Sequence, residues 1–215
     1  MGEKGLVVIT GSNGRLGSVL AAGFLTEGYR VVGLDLPGNE TKAWPLIEVD
    51  VSSAESIAAA FSEITMRFGV PNSVIHTVGM WGMSPFKETT LQAWNLMLNL
   101  NLTSSFLVFR QAILSMGEKG SLIGIVSRQG AVRGAGQQGA YSASKGGLVR
   151  LVEAIGAEYE GSDLHVHAIA PSTILFETGQ KGGIQATQLL SYCLMLAGDE
   201  GRQSNGKILE AFGDG

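Results

Sequence analysis

Tyr141 and Lys145 stand four residues apart in Tyr141-Ser142-Ala143-Ser144-Lys145. Side chains at i and i+4 share one face of a helix. A free tyrosine keeps its proton up to a pKa near ~10, too high for ready exchange at neutral pH. A fixed ammonium beside it favours the phenolate and lowers that value. Such a pair can protonate a carbonyl oxygen, or deprotonate an alcohol, while a hydride moves. Ser127 closes an apolar strand run upstream. Strand ends at the carboxyl edge of a parallel sheet face the ligand crevice, where a hydroxyl could hydrogen-bond the substrate oxygen. Ser127 reads equally as an ordinary helix or turn cap.

A second constellation is glycine-rich. Thr10-Gly11-Ser12-Asn13-Gly14-Arg15-Leu16-Gly17 spaces its glycines G-x-x-G-x-x-G between an apolar run and a helical pattern. The chain there must turn sharply while its backbone approaches a pyrophosphate, and glycine permits both. The helix that follows points its unpaired N–H groups and positive dipole end at the anion. Asp35 ends the next strand run. A carboxylate at that point can accept from the adenosine ribose hydroxyls and repels a 2′-phosphate, which favours NAD(H) over NADP(H). Arg15 argues the other way, because a guanidinium in this loop could pair with a 2′-phosphate. It reads also as a solvated residue at a helix start.

The elements that must position these residues are legible as alternating patterns. Strands are predicted at Leu6–Thr10, Tyr29–Asp35, Leu46–Val49, Ser73–Val78, Ser121–Val126, Leu164–Ala170 and Lys207–Phe212. Helices are predicted at Gly14–Glu27, Ser53–Phe68, Leu91–Met116, Gly139–Tyr159 and near Gly183–Ala197. Near-continuous apolar strands separated by helices specify βαβ units and a parallel sheet covered on both faces. The fold class is therefore α/β: a doubly wound Rossmann fold with a parallel sheet of about seven strands, as a single dinucleotide-binding domain over residues 1–215. The predicted helix from Leu91 is apolar nearly all round, where a surface helix shows one stripe. It is either buried in the monomer or meets another subunit.

Composition bounds the function. The chain has 215 residues with 15 Lys+Arg against 19 Asp+Glu, a net charge of −4. Neither nucleic acid nor an anionic membrane suits a surface with no basic excess. No run of apolar residues is long enough for a transmembrane helix. Met1–Thr10 lacks the pattern of a signal peptide, and Cys193 alone can form neither an internal disulfide nor a multi-cysteine zinc site, so a cytoplasmic location and no metal are expected. Asn39-Glu40-Thr41 fits a glycosylation acceptor by chance in that setting.

Gly11, Gly14, Gly17, Asp35, Asp50, Ser127, Tyr141, Lys145 and Pro171, in this order, resemble the short-chain dehydrogenase/reductase family across essentially the whole chain. The resemblance implies that Tyr141 is the acid/base, that Ser127 orients the substrate carbonyl, and that Lys145 binds the nicotinamide ribose and lowers the Tyr141 pKa. It implies further that Asn101 holds a water in a proton relay, that Asp50 and Val51 lie beside the adenine, that Gly79 lines the cofactor, and that Pro171 to Thr173 contact the nicotinamide. Ser12, Asn13, Arg15 and Leu16 complete the cofactor loop.

The chain also departs from the family pattern. Arg15 stands where the usual loop has its middle glycine, His76-Thr77-Val78-Gly79 replaces Asn-Asn-Ala-Gly, and Ser172 replaces a glycine. His76 reads as a structural substitute that fixes its loop, or as an extra proton donor. The substrate loop, residues 174–183, is short, which implies an open site or one completed by another subunit. Trp81 offers a flat face to a planar ring or is a core or interface aromatic. Arg128 and Gln129 either meet a polar substrate or form a solvated loop. The loop, Asp35, Trp81 and Pro171-Ser172-Thr173 are similar to dihydropteridine reductases, which generally lack the active-site serine present here as Ser127. Three readings stand: a carbonyl/alcohol oxidoreductase, a reductase of a planar pterin-like substrate, and a dinucleotide-sensing scaffold without turnover. The expected partners are a small-molecule substrate and further copies of the chain, as a homodimer or homotetramer through the helices of residues 91–116 and 139–160. If Asp35 governs cofactor choice, NADH raises the melting temperature more than NADPH at matched concentration, since a ligand of the native state stabilises it by mass action. A larger shift with NADPH would mean that Arg15 outweighs Asp35.

Overall fold

A computed structural model describes residues 4–38 and 42–213; the Asn39–Thr41 acceptor motif lies outside them. The chain runs β1 (Lys4–Thr10), α1 (Arg15–Thr26), β2 (Tyr29–Asp35), β3 (Leu46–Glu48), α2 (Ala54–Phe68), β4 (Ser73–His76), α3 (Leu91–Leu98), α4 (Ser104–Met116), β5 (Lys119–Ile125), the short α5 (Arg128–Ala131), α6 (Gly139–Glu158), β6 (Asp163–Pro171), β7 (Ile174–Leu175), β8 (Ile184–Gln185), α7 (Ala186–Ala197) and β9 (Lys207–Ala211). Seven strands form one parallel sheet in the order β3-β2-β1-β4-β5-β6-β9. The order reverses between β1 and β4, and that reversal opens the crevice in which such sheets bind ligands.

Successive strand side chains point to opposite faces. Leu6 and Val8 of β1 face a core built with Ile57 and Phe61 of α2, Val108 and Phe109 of α4, and Leu148 and Val152 of α6. Val7 and Ile9 face the other core, with Leu20 and Phe24 of α1 and Leu189 and Cys193 of α7. Each fully buried side chain of this kind contributes about 1.5–3 kcal/mol relative to exposure. Polar residues begin the helices: Ser53 Oγ accepts from the Ser56 N–H at 3.2 Å, and Thr90 Oγ1 from the Ala93 N–H at 3.1 Å.

The helix predicted over Leu91–Met116 is interrupted by a π turn at Asn99–Thr103. Its hydroxyls supply the reason. Ser104 Oγ donates to the Leu100 carbonyl at 2.8 Å and Ser105 Oγ to the Asn101 carbonyl at 3.0 Å, drawing on carbonyls that a regular ladder would use. Nor is the helix buried all round. Val108 and Phe109 are fully buried, while Leu91, Leu96, Phe106 and Leu114 are exposed. Segment 174–183, read as a bare loop, begins with β7, which pairs in parallel with β8 just beyond it. That pairing occupies Ile184 and Gln185, so α7 starts at Ala186 rather than near Gly183, with Gln185 and Gln188 capping it reciprocally. No helix among the described residues is long and apolar enough to cross a membrane.

His76 ends β4, wholly buried. Its Nδ1 lies 2.7 Å from Thr10 Oγ1 and its Nε2 3.1 Å from Ser104 Oγ, so one imidazole ties β1, β4 and α4 together. Burial, assisted by the Lys145 charge, pushes its pKa down to about 3. The folded protein therefore refuses a proton that the unfolded chain takes near its ordinary 6.5. Stability supplied by neutral His76 is complete above that value and is lost as pH falls from 6.5 toward 3. His76→Gln, which can bond both hydroxyls but cannot titrate, flattens this part of the profile in chemical denaturation run across the same pH range.

Candidate active site

The phosphate loop is held by backbone contacts. Gly11 adopts φ +68°, its N–H donates to the Leu34 carbonyl at 2.7 Å, and the Gly14 N–H donates to the Gly11 carbonyl at 2.9 Å. A Cβ at Gly17 would collide with that same Gly11 carbonyl oxygen. Asp35 sits beside the loop: Oδ2 accepts from the Asn13 N–H at 2.7 Å and Oδ1 from the Leu36 N–H at 2.9 Å. Ser12 Oγ and Asn13 Oδ1 are buried without a protein partner. A tight glycine turn, an open helix N-terminus, an ordered carboxylate and orphaned polar atoms together fit a dinucleotide. Asp50, also predicted to bind cofactor, accepts at Oδ1 from the Ser52 N–H at 2.8 Å and from its hydroxyl at 2.6 Å. Those two bonds hold its pKa below the usual carboxylate value. Its neighbour Val51 is buried.

Beyond α1 a cleft of about 580 Å³ opens, lined by Leu16, Gly79, Trp81, Ser127, Gln129, Tyr141, Lys145, Pro171 and Thr173 among others. Five separate segments thus bring these residues, each singled out from sequence, to one place. Ser127 serves as the cap of α5 as well, accepting from the Gly130 N–H at 3.3 Å. Trp81 is 59% exposed at the cleft. Arg128 is not among the lining residues; its guanidinium lies 4.9 Å from the centroid of the Phe212 ring.

Electrostatics in the cleft differ from the expectation drawn from spacing. Burial pushes the Tyr141 phenol up from its ordinary value, and the Ser127 side chain acts in the opposite direction. Burial also brings Lys145 down to about 8. Its Nζ donates to the Ile125 carbonyl at 2.7 Å. Desolvation disfavours the charged form of both groups and is the largest influence on each.

Asn101, in the π turn, is fully buried. Its Oδ1 accepts from the Met80 N–H at 2.8 Å, and its Nδ2 donates to the Met80 carbonyl at 2.9 Å and to Ser144 Oγ at 3.0 Å. Its side chain thus holds the strand-to-helix loop after β4. Gln138 and Thr77 also line the cleft and carry no site assignment from sequence, and Ile174, the first residue of the substrate loop read there, joins them. The Gln138 Oε1 is buried without a partner, and Gln137 before it has φ +61°, a left-handed conformation uncommon outside glycine. Gln138 lies three residues before Tyr141, a position that by itself carries no chemical signature.

A family model described as enoyl-(acyl carrier protein) reductase matches residues 14–197. D-threitol dehydrogenase of Mycolicibacterium smegmatis is 30% identical over 189 residues, 82% of this chain and 72% of that protein. The ligand-free aldohexose dehydrogenase of Thermoplasma acidophilum superposes with a TM-score of 0.88 at 21% identity, covering 97% of this chain and 92% of that one. An actinorhodin polyketide ketoreductase with NADPH gives 0.88 at 20% identity, covering 98% and 96%. These two structures share the fold.

Gly79 joins the two halves of the cleft. A Cβ there would lie 2.8 Å from Asn101 Oδ1 and 3.1 Å from Lys145 Nζ. Gly79→Ala therefore displaces both side chains, costs about 1–3 kcal/mol as overpacking, and lowers the denaturation midpoint together with activity.

Proposed function

The chain belongs to the short-chain dehydrogenase/reductase family, and on that premise we propose that it interconverts a carbonyl and an alcohol with NAD(H), Tyr141 acting as acid/base. The observation that carries the proposal is the single cleft shared by Ser127, Tyr141, Lys145 and Leu16 of the helix behind the phosphate loop. A bound nicotinamide supplies or accepts the hydride there. Ser127 Oγ orients the substrate oxygen, and the Tyr141 phenol passes it a proton in the direction of reduction. A raised Tyr141 pKa keeps the phenol protonated at neutral pH, ready to donate. In alcohol oxidation Tyr141 must first lose that proton, and the charged form of Lys145 favours the loss. Asp35 retains lone pairs beyond the two N–H groups it accepts, capacity that suits ribose hydroxyls.

The apolar side chains left exposed on α3 and α4, Leu91, Leu96, Phe106 and Leu114, support assembly as a homodimer or homotetramer. Phe106 and Leu114 border a groove of about 370 Å³ with Leu151 and Ile155 of α6. Cys193 is buried as a free thiol, its pKa pushed up to about 12, which suits a reducing cytoplasm.

Tyr141→Phe lowers kcat by about 10²–10⁴-fold, the usual worth of a general acid, and leaves the Kd for NADH nearly unchanged. Full turnover in that variant would overturn the mechanism. Cofactor binding by the unaltered protein with no turnover on a broad carbonyl and alcohol panel would favour a nucleotide-sensing scaffold.

A further inference from the structure

Two departures of this chain from the family pattern meet in space. Arg15 replaces the middle glycine of the phosphate loop, and the segment after β6 is short. The Arg15 guanidinium carbon lies 4.1 Å from the centroid of the Phe176 ring. Arg15 is the first residue of α1, and Phe176 directly follows β7. Their neighbours Leu16, Thr173 and Ile174 line the same cleft. The contact therefore joins the start of α1 to the segment after β7, beside the residues that line the cleft.

Sheet order shows which way the guanidinium is drawn. β2, which carries Asp35, flanks β1 on one side, whereas β6, which leads into the lid, lies on the other side beyond β4 and β5. An arginine held against Phe176 is turned from the Asp35 side, where an adenosine 2′-phosphate would lie. Among the described residues Arg15 forms no ion pair with Asp35, whose oxygens take the Asn13 and Leu36 N–H groups instead. A ring stacked on a guanidinium occupies its face and leaves its edge N–H donors for an anion. Those donors suit the two phosphoryl groups at the α1 N-terminus, because the guanidinium fork matches phosphate oxygens in pairs.

We propose that Arg15 binds the diphosphate of the dinucleotide and that Phe176 is the residue that positions it, the two forming a strap that stands in for the longer lid of the family. The proposal rests on the dinucleotide reading above and changes the role of Arg15 from a reader of the 2′-phosphate to a clamp on the part common to both cofactors.

The test is calorimetric titration of the unaltered protein and of Arg15→Ala, Arg15→Lys, Phe176→Ala and Phe176→Trp with NADH, NADPH, ADP-ribose and adenosine. Thermal unfolding of each variant first establishes that it is folded. Arg15→Ala is expected to weaken NADH, NADPH and ADP-ribose by a common factor of about tenfold, the loss of one charge-assisted pair, and to leave adenosine unchanged. Phe176→Ala is expected to weaken the same three ligands by about threefold. Phe176→Trp restores affinity, and Arg15→Lys restores it in part. Raising the salt concentration weakens NADH binding more in the unaltered protein than in Arg15→Ala. Selective loss of NADPH binding in Arg15→Ala would overturn the proposal, and so would unchanged NADH affinity in Arg15→Ala or Phe176→Ala. Failure of the dinucleotide reading looks different: the unaltered protein then binds neither NADH nor ADP-ribose, and both conclusions fall together.

Discussion

A side chain at Gly17 would collide with the Gly11 carbonyl oxygen, so α1 can begin against the end of β1 only because that position carries a hydrogen. This close approach places the open N–H groups of α1 over the point where the sheet order reverses. The end of β1 is also pinned to its neighbour. Thr10 Oγ1 meets the His76 ring, and Thr77 Oγ1 donates to the Thr10 carbonyl at 2.7 Å. The ends of β1 and β4 are thereby held in register where the crevice opens. Asp35 and the phosphate loop on one side, and the cleft of Tyr141 on the other, depend on that junction.

In and behind the cleft, burial is the largest influence on proton affinity. His76 is held neutral, Lys145 is brought down to about 8, and Tyr141 is pushed up. Loss of water on burial is the largest cause of all three shifts, and the Lys145 charge adds to it at His76. The polar cost is limited by hydrogen bonds made at short range. Asn101 gives both ends of its amide to Met80, Lys145 reaches the Ile125 carbonyl, and His76 bonds two hydroxyls. These bonds fix positions as well as energies, and the π turn at Asn99–Thr103 aims Asn101 at its target. The segment between β6 and α7 is likewise a packed element: β7 and β8 pair there, and Phe176 carries the segment to Arg15.

The order of strands and helices was legible because the two apolar periods, near 2 and near 3.6, differ clearly in this chain. So were the tight glycine turn after β1 and the place of Asp35 at the end of β2, whose spacing and position have a direct mechanical reading. Residues whose behaviour depends on what surrounds them were not. The π turn escaped detection because serine hydroxyls within a helical pattern do not announce which carbonyl they will take. Arg128 reads as a candidate beside Ser127 but stacks on Phe212, which is distant in sequence. Gln138 lines the cleft from a position with no motif of its own.

Local backbone demands and periodicity act between residues close in the chain, so the sequence alone determined the doubly wound parallel architecture, the glycine turn after β1 and the Tyr141–Lys145 spacing. Desolvation and long-range contacts act between residues that only folding brings together. The tertiary structure therefore decided that burial outweighs the Ser127 hydrogen bond at Tyr141, that His76 is a structural tie, and that Arg15 is turned toward Phe176 rather than toward Asp35.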